Sequence, residues 1–300
     1  MTSIFRNYID KTADKTREGV EDESAPGRDP EFIRKLTPLM NIYKRYFDTE
    51  IRGFDKLPTD GAYLIVGNHS GGMFTPDAAA TLATWFTENG PEAPLTGLAF
   101  NMAFALKPMG DFFRRIGEVP ASYDNAGKAL DDGSPVLVYP GGDYEVYRPF
   151  SERNQITFDG RKGFIKLAIR QGVPVYPLVG HGAHNTLLVL TRGQRIAEQM
   201  QLDKVRSKIY PLVLTPFGVM PAMLFPTPPL PAKITMQVLD PIDWTKYSPE
   251  DAEDDEILER CYEEITTQMQ SALDELVDEI PHPVVERVKS FFASLPGLGG

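Results

Sequence analysis

His69 and Asp77 are the side chains of this sequence whose types and spacing best suit proton transfer. They lie in the run Gly67-Asn-His-Ser-Gly-Gly-Met-Phe-Thr-Pro-Asp77. An ionised carboxylate can hold one imidazole nitrogen and leave the other as a general base. The chain around them predicts the elements that would position them. Residues 63–66 form a short apolar run, expected as a buried strand that stops at Gly67-Asn68. His69 would then sit on a loop past the C-terminal end of a strand, where open α/β sheets place their chemistry. A helix is expected from Pro76, with Thr75 as its N-cap and Asn89-Gly90 as its stop. Its positive end favours a carboxylate at Asp77 in the first turn. A capping aspartate beside an unrelated loop histidine accounts for the same residues equally well. No Gly-x-Ser-x-Gly elbow occurs, and Cys261, in a charged helical segment, is a poor nucleophile. A base without a protein nucleophile suggests that the attacking group is a substrate hydroxyl.

Composition sets the frame. The 300 residues are 42% hydrophobic, enough for one large α/β domain with appendages or for two small domains. A single cysteine excludes a disulfide framework and fits a reducing compartment. The N-terminus has no apolar signal core, so no secretion signal is expected, and no run is long and apolar enough to span a membrane. The net charge of −11 is uneven: residues 240–300 carry −12, whereas residues 171–239 carry +4. No stretch combines a basic stripe with interleaved aromatics, which argues against nucleic acid as a partner. A mildly basic middle suits anionic headgroups or a phosphorylated substrate, or is simply a solvated surface.

In chain order, residues 1–28 read as a loose, charged arm, with room for a short helix. Residues 29–48 predict an amphipathic helix, started at Asp29-Pro30 and bearing Arg34, Lys35, Lys44 and Arg45. Such a helix lies on a membrane surface or packs on its own domain. Residues 49–245 alternate strands and helices, with glycine-rich loops after strands. Within them, 98–106 is apolar nearly all round and should be buried. Arg114 and Arg115 are candidates for phosphate binding or for plain surface solubility. The strand at 135–139 opens into Pro140-Gly141-Gly142-Asp143-Tyr144-Glu145, and Arg161-Lys162-Gly163 leads a helix closed near Gly172. His181 and His184 lack acidic or cysteine partners nearby in sequence, so no metal site is expected. Residues 209–233 are apolar but broken by seven prolines, which excludes a regular helix or a central strand. Either Met220, Met223, Leu224 and Phe225 form an exposed lipid-facing patch, or this loop is buried. Residues 246–300 predict an acidic helical segment, in which 249–280 form an amphipathic helix ended by Pro281.

Taken together these motifs resemble the glycerolipid and lysophospholipid acyltransferase superfamily, in particular its mono- and diacylglycerol acyltransferase-like branch, over residues 32–245. Asn68-His69 with Pro76-Asp77 resembles the His-carboxylate motif, although the usual His-x4-Asp spacing is exceeded and Phe74 stands at the usual carboxylate position. Pro140-Gly141-Gly142 with Glu145, Arg161-Lys162-Gly163-Phe164, and the 173–177 strand resemble the later motifs. The resemblance implies an αβα domain with a mixed central sheet and helical appendages at both ends. It implies O-acyl transfer from an acyl thioester, acyl-CoA or acyl-carrier protein, to the hydroxyl of a glycerolipid or lysophospholipid, as in phospholipid biosynthesis. No resident cofactor is implied. His69 would be the base and Asp77 its partner. Asn68, Ser70, Gly71, Gly72, Gly141, Gly142, Glu145, Arg161, Lys162 and Gly163 would contact substrate. Backbone N–H groups of Ser70 to Gly72, or of Gly141-Gly142, would hold the oxyanion. Arg161 and Lys162 would hold phosphate, or instead brace the glycine loop by pairing with Glu145. A cytoplasmic enzyme attached peripherally to a membrane is expected. A lipid-binding protein that has lost the reaction, or an acyl thioesterase, would use the same scaffold.

Overall fold

The computed structural model describes residues 3–22, 27–202, 208–222 and 227–294. A seven-stranded sheet runs in the order β1-β10-β6-β2-β5-β3-β4. These strands are β1 (Glu50–Arg52), β2 (Leu64–Gly67), β3 (Thr96–Ala99), β4 (Glu118–Pro120), β5 (Val136–Val138), β6 (Val175–His181) and β10 (Thr235–Val238). Neighbours are parallel except β10 against β6, so the sheet is mixed, as the motifs implied. Strand alternation sends side chains to opposite faces. Leu64, Val66, Val136, Val175 and Val179 meet α5 (Tyr123–Asp131), α7 (Gly163–Gln171) and α9 (Asp255–Glu279) on one face. Ile65, Leu137, Tyr176, Leu178 and Met236 meet α2 (Pro30–Tyr46) and α3 (Pro76–Glu88) on the other. The central strands are therefore apolar throughout, because both of their faces are covered.

Charge complementarity explains where the acidic C-terminal segment goes. α9 buries Leu258, Cys261, Ile265, Met269, Leu273 and Leu276. Glu259 pairs with Lys162, and Glu253, in the turn before α9, pairs with Lys166 and Arg170 of the α7 region. These pairs are exposed and contribute little each; the apolar stripe is what holds the helix. Asp29 caps α2 through the Phe32 N–H, as expected.

Several expectations are corrected. The N-terminal arm contains α1 (Ser3–Val20), a helix of 18 residues. The 98–106 run is not buried as a unit: it is the end of β3 and a 3-10 turn, Asn101–Phe104, with Phe104 buried but Phe100 and Leu106 exposed. Arg114 and Arg115, in α4 (Lys107–Arg115), are tied to the N-terminal helices. Arg114 donates to the Gly19 carbonyl, and Arg115 pairs with Asp29 at 2.7 Å while stacking on Phe32. The proline-rich segment is not wholly a loop. Its β8 (Leu212–Thr215) and β9 (Gly218–Pro221) form a hairpin beside β7 (Leu188–Thr191), in a separate three-stranded sheet. Pro211, Pro216 and Pro221 sit at the ends of its strands, where a missing N–H costs least. Met220 is partly buried, the exposed apolar residues of the hairpin are Leu214, Phe217 and Val219, and Met223, Leu224 and Phe225 lie outside the described residues. Two short helices, α6 (Gly142–Val146) and α8 (Gln194–Gln199), and a C-terminal α10 (Pro283–Ala293) complete the chain.

Candidate active site

The C-terminal ends of the adjacent strands β2 and β5 release the two loops that meet at the site. Asn68 fixes where the first one starts. Its side-chain amide donates to the Gly180 carbonyl at 2.9 Å and accepts the Gly180 N–H at 2.6 Å. That exchange extends the β2–β6 pairing by one step and spends Asn68 on structure instead of substrate. The next side chain, His69, is then presented at the sheet edge.

His69 Nδ1 lies 3.2 Å from Asp77 Oδ2. The same Oδ2 accepts the Ser70 N–H at 2.6 Å, and Oδ1 accepts the Ala78 N–H at 2.7 Å. Asp77 is 1% exposed and acceptor-only when ionised, so the imidazole proton sits on Nδ1. His69 is 14% exposed, and its Nε2 makes no hydrogen bond to a described residue. Burial by itself would lower the imidazole pKa, but the charge of Asp77 and their hydrogen bond, with Glu145 and Glu118 adding to them, raise it above the ordinary value. The long spacing between His69 and Asp77 is absorbed by a 3-10 turn, Gly72–Phe74, and by Thr75. Thr75 does not cap α3 with its side chain as expected; it takes a left-handed backbone with φ 35°. That conformation costs a non-glycine residue roughly 1–2 kcal/mol and is held by the Thr75 N–H on the Gly72 carbonyl and by Pro76.

The second loop grips the first from below. Glu145 Oε2 accepts the His69 backbone N–H at 2.9 Å. Glu145 Oε1 meets Arg148 Nη1 at 3.1 Å. Arg148 donates to Ser70 Oγ at 2.9 Å and to the His69 carbonyl at 3.4 Å. Glu145 is 0% and Arg148 1% exposed, so this ion pair is fully buried beneath the His69 loop. Burial pushes the Glu145 carboxyl up, with Arg148 and the His69 N–H pulling against it.

Tyr139, the last residue before Pro140, stacks on the His69 ring at 4.4 Å and 22°. Its hydroxyl lies 3.3 Å from Thr81 Oγ of α3. Gly67 makes the stack possible: a Cβ there would stand 2.4 Å from Tyr139 Cε1.

The remaining sequence-selected residues divide. The Ser70 N–H is donated to Asp77 and the Gly142 N–H to the Tyr139 carbonyl at 3.1 Å, so neither is available to an oxyanion. The N–H groups of Gly71, Gly72 and Gly141 make no hydrogen bond to a described residue. Arg161 braces the glycine loop, donating to the carbonyls of Pro140 and Gly141 and pairing with Asp143 at 3.0 Å, where Glu145 was the expected partner. Lys162 pairs with Glu259 of α9. Gly163 opens α7 beneath the Tyr123 hydroxyl, away from the His69 loop. His181 Nε2 bonds the Ile280 carbonyl. The sequence reading missed Tyr139, Arg148 and Glu118. Arg148 was signalled by its helical i+3 spacing from Glu145, and Tyr139 by strand alternation from Leu137.

The profile of the diacylglycerol acyltransferase family matches residues 20–282, most of the chain and every element of the site. The chain belongs to that family. It is accordingly an acyltransferase of lipid metabolism, as the motifs implied. An uncharacterised protein of Mycobacterium tuberculosis is 27% identical over 250 residues, covering 82% of this chain and 67% of that one. Diacylglycerol O-acyltransferase 2B of Umbelopsis ramanniana is 29% identical over 164 residues, 53% of this chain and 46% of its own length. Diacylglycerol O-acyltransferase 2 of Homo sapiens is 27% identical over 164 residues, 52% and 41% of the two chains. The chain therefore aligns with less than half the length of these two enzymes. A 1-acyl-sn-glycerophosphate acyltransferase of Thermotoga maritima superposes with a TM-score of 0.48 at 17% identity, covering 81% of this chain and 79% of that one.

Proposed function

We propose that the protein transfers a fatty acyl group from an acyl thioester, with acyl-CoA the expected donor, to a hydroxyl of an uncharged glycerolipid. The observation that carries this reading is the His69 imidazole, held at Nδ1 by buried Asp77 with Nε2 left without a partner among the described residues. Nε2 takes the proton of the acceptor hydroxyl as that oxygen bonds to the thioester carbonyl carbon. Asp77 stabilises the imidazolium. The tetrahedral oxyanion takes hydrogen bonds from the N–H groups of Gly71 and Gly72. Collapse breaks the C–S bond, and the imidazolium returns its proton to the departing thiolate, giving ester and free thiol. Tyr139 keeps the ring in plane, and the Glu145–Arg148 pair keeps the loop in place.

The charge arrangement supports an uncharged acceptor over a lysophospholipid. The cations that would have suited a phosphate are engaged: Arg161 with the glycine loop, Lys162 with Glu259, Arg114 and Arg115 with the N-terminal helices. Diacylglycerol-type chemistry in the named relatives points the same way. Among the described residues no helix is long and apolar enough to cross a membrane. Access to a lipid acceptor is then by peripheral contact with a cytoplasmic membrane face, through exposed Phe217, Val219, Met73 and Phe74.

The test is release of free CoA from palmitoyl-CoA by the purified protein. It is run with and without monoacylglycerol, diacylglycerol and lysophospholipid, beside His69→Ala and Asp77→Ala. Acceptor-dependent release that disappears in His69→Ala supports the transferase. Release without an acceptor would make it a thioesterase. Lipid binding indifferent to His69→Ala, with no release from palmitoyl-CoA or an acyl-carrier protein, would make it a binding protein.

A further inference from the structure

Glu118 is a carboxyl that the mechanism above does not use, on the same side of the sheet as the base. β4 pairs with β3 so that Glu118 stands opposite Gly97, and Gly97 stands opposite Leu137 of β5. Residues 118, 97, 137 and 139 thus share the face that carries Tyr139 and the His69 ring. Position 97 has no side chain, and Glu118 leans into that space. A Cβ on Gly97 would stand 2.9 Å from Glu118 Cγ and 3.6 Å from its Oε1. The carboxyl is directed inward along the sheet, partly buried, and has no hydrogen bond or salt bridge to a described residue. Its electrostatic neighbours are His69 and Tyr139. Burial pushes it up to about 7, with the His69 charge pulling the other way.

The Glu118 oxygens are not among the fully buried polar atoms, so a molecule entering the site can reach them. A reachable carboxyl beside a general base, without a protein partner among the described residues, is placed to meet a ligand.

We propose that Glu118 contacts the acceptor, accepting a hydrogen bond from a second free hydroxyl of its head group while His69 takes the proton of the first. This rests on the acyltransferase reading and goes further, because it selects among neutral acceptors. A glycerolipid with two free hydroxyls engages both residues, and one with a single hydroxyl engages His69 alone. The site is then built for a monoacylglycerol-like diol in preference to a diacylglycerol or a fatty alcohol.

The experiment compares two acceptors of equal chain length, a 1-O-alkylglycerol with two hydroxyls and the corresponding O-alkyl ethylene glycol with one, using palmitoyl-CoA as donor. kcat/KM is measured for wild type, Glu118→Gln and Glu118→Ala. A hydrogen bond to a charged group contributes about 10–100-fold in binding. Wild type should prefer the diol by about that factor. Glu118→Ala should lose the preference through a raised KM for the diol, so that the diol falls towards the mono-ol, and Glu118→Gln should keep part of it. Glu118→Gln should also melt no lower than wild type, whereas a purely structural role predicts destabilisation. Equal losses on both acceptors, or no loss on either, would overturn the assignment while leaving the transferase intact. Wild type inactive on both acceptors would overturn the neutral-acceptor reading and this proposal with it.

Discussion

Replacing Arg148 by methionine separates the stability of this fold from the placement of its base. Arg148 is 1% exposed and sits against Glu145, 0% exposed, at 3.1 Å. Removing one partner of a buried pair costs about 3–5 kcal/mol, because the other charge is left uncompensated. Burial has already pushed the Glu145 carboxyl up, so it takes a proton when its partner goes, which favours the lower end of that range. At roughly 2–4 °C per kcal/mol in a domain of this size, Arg148→Met should melt about 6–12 °C below wild type. The double variant Glu145→Gln/Arg148→Met removes both charges, and replacing a whole buried pair is often close to neutral, so most of that melting temperature should return. Activity should not return with it. Ser70 Oγ and the His69 carbonyl still lose the guanidinium that fixes the loop, and a misplacement of about 1 Å can cost on the order of 100-fold. The assays are thermal melting and acceptor-dependent thiol release on all three proteins. A single variant that melts within about 1 °C of wild type, or a double variant with full activity, would refute the claim that this pair pins the catalytic loop.

Because His69 must be neutral to act as a base and Asp77 raises its pKa, kcat/KM should climb with pH through a value above the ordinary histidine range. Asp77→Asn removes the raising charge, so this limb should move to lower pH while the plateau falls by roughly 10²–10⁴-fold; an unmoved limb would show that another group titrates. Gly67→Ala would drive a methyl into Tyr139 Cε1 and unstack His69, so a loss of roughly 1–3 kcal/mol in denaturant melts should accompany a lower kcat; unchanged kcat would remove the stack from the mechanism. Phe217 is 90% exposed at the tip of the β8–β9 hairpin. Phe217→Ser should weaken partition onto phosphatidylcholine vesicles by about 10-fold or more, and should leave the rate on a short-chain soluble acceptor unchanged. Equal losses on both would place Phe217 in folding instead of docking.

The alternation of short apolar runs with capped helices was legible, because each run carries its own stop. Gly67-Asn68 ends β2, Asn89-Gly90 ends α3, and Gly172 ends α7. Long α9 was equally plain from its apolar stripe. What misled was local preference read without its surroundings. Thr75 has the chemistry of an N-cap, yet at the end of the eight-step span from His69 to Asp77 its backbone is left-handed and its hydroxyl makes no capping hydrogen bond. The 98–106 run has the composition of a core element, yet it crosses the rim of the sheet and exposes Phe100 and Leu106. Of the two roles open to Arg161 the structure shows the bracing contact, with Asp143 as its anion, since Glu145 is claimed by Arg148 and the His69 N–H.

By itself the sequence determined the class of fold and the order of its motifs, and it singled out His69 and Asp77 while leaving a capping aspartate as an equal alternative, because these follow from periodicity, capping and residue chemistry along a continuous stretch; the hydrogen bond between the two is seen only in the fold. Only the tertiary structure decided which groups surround that pair. Tyr139 comes from the residue just after β5, the Glu145–Arg148 pair from the helix beyond it and its end, and Glu118 from the edge strand β4. None of these is near His69 in the chain. Their meeting depends on the strand order of the sheet and on two glycines, Gly67 and Gly97, that leave room for a tyrosine ring and a carboxyl to cross the backbone. Strand order and close approach are set by the packing of both helical layers at once, which no local pattern encodes.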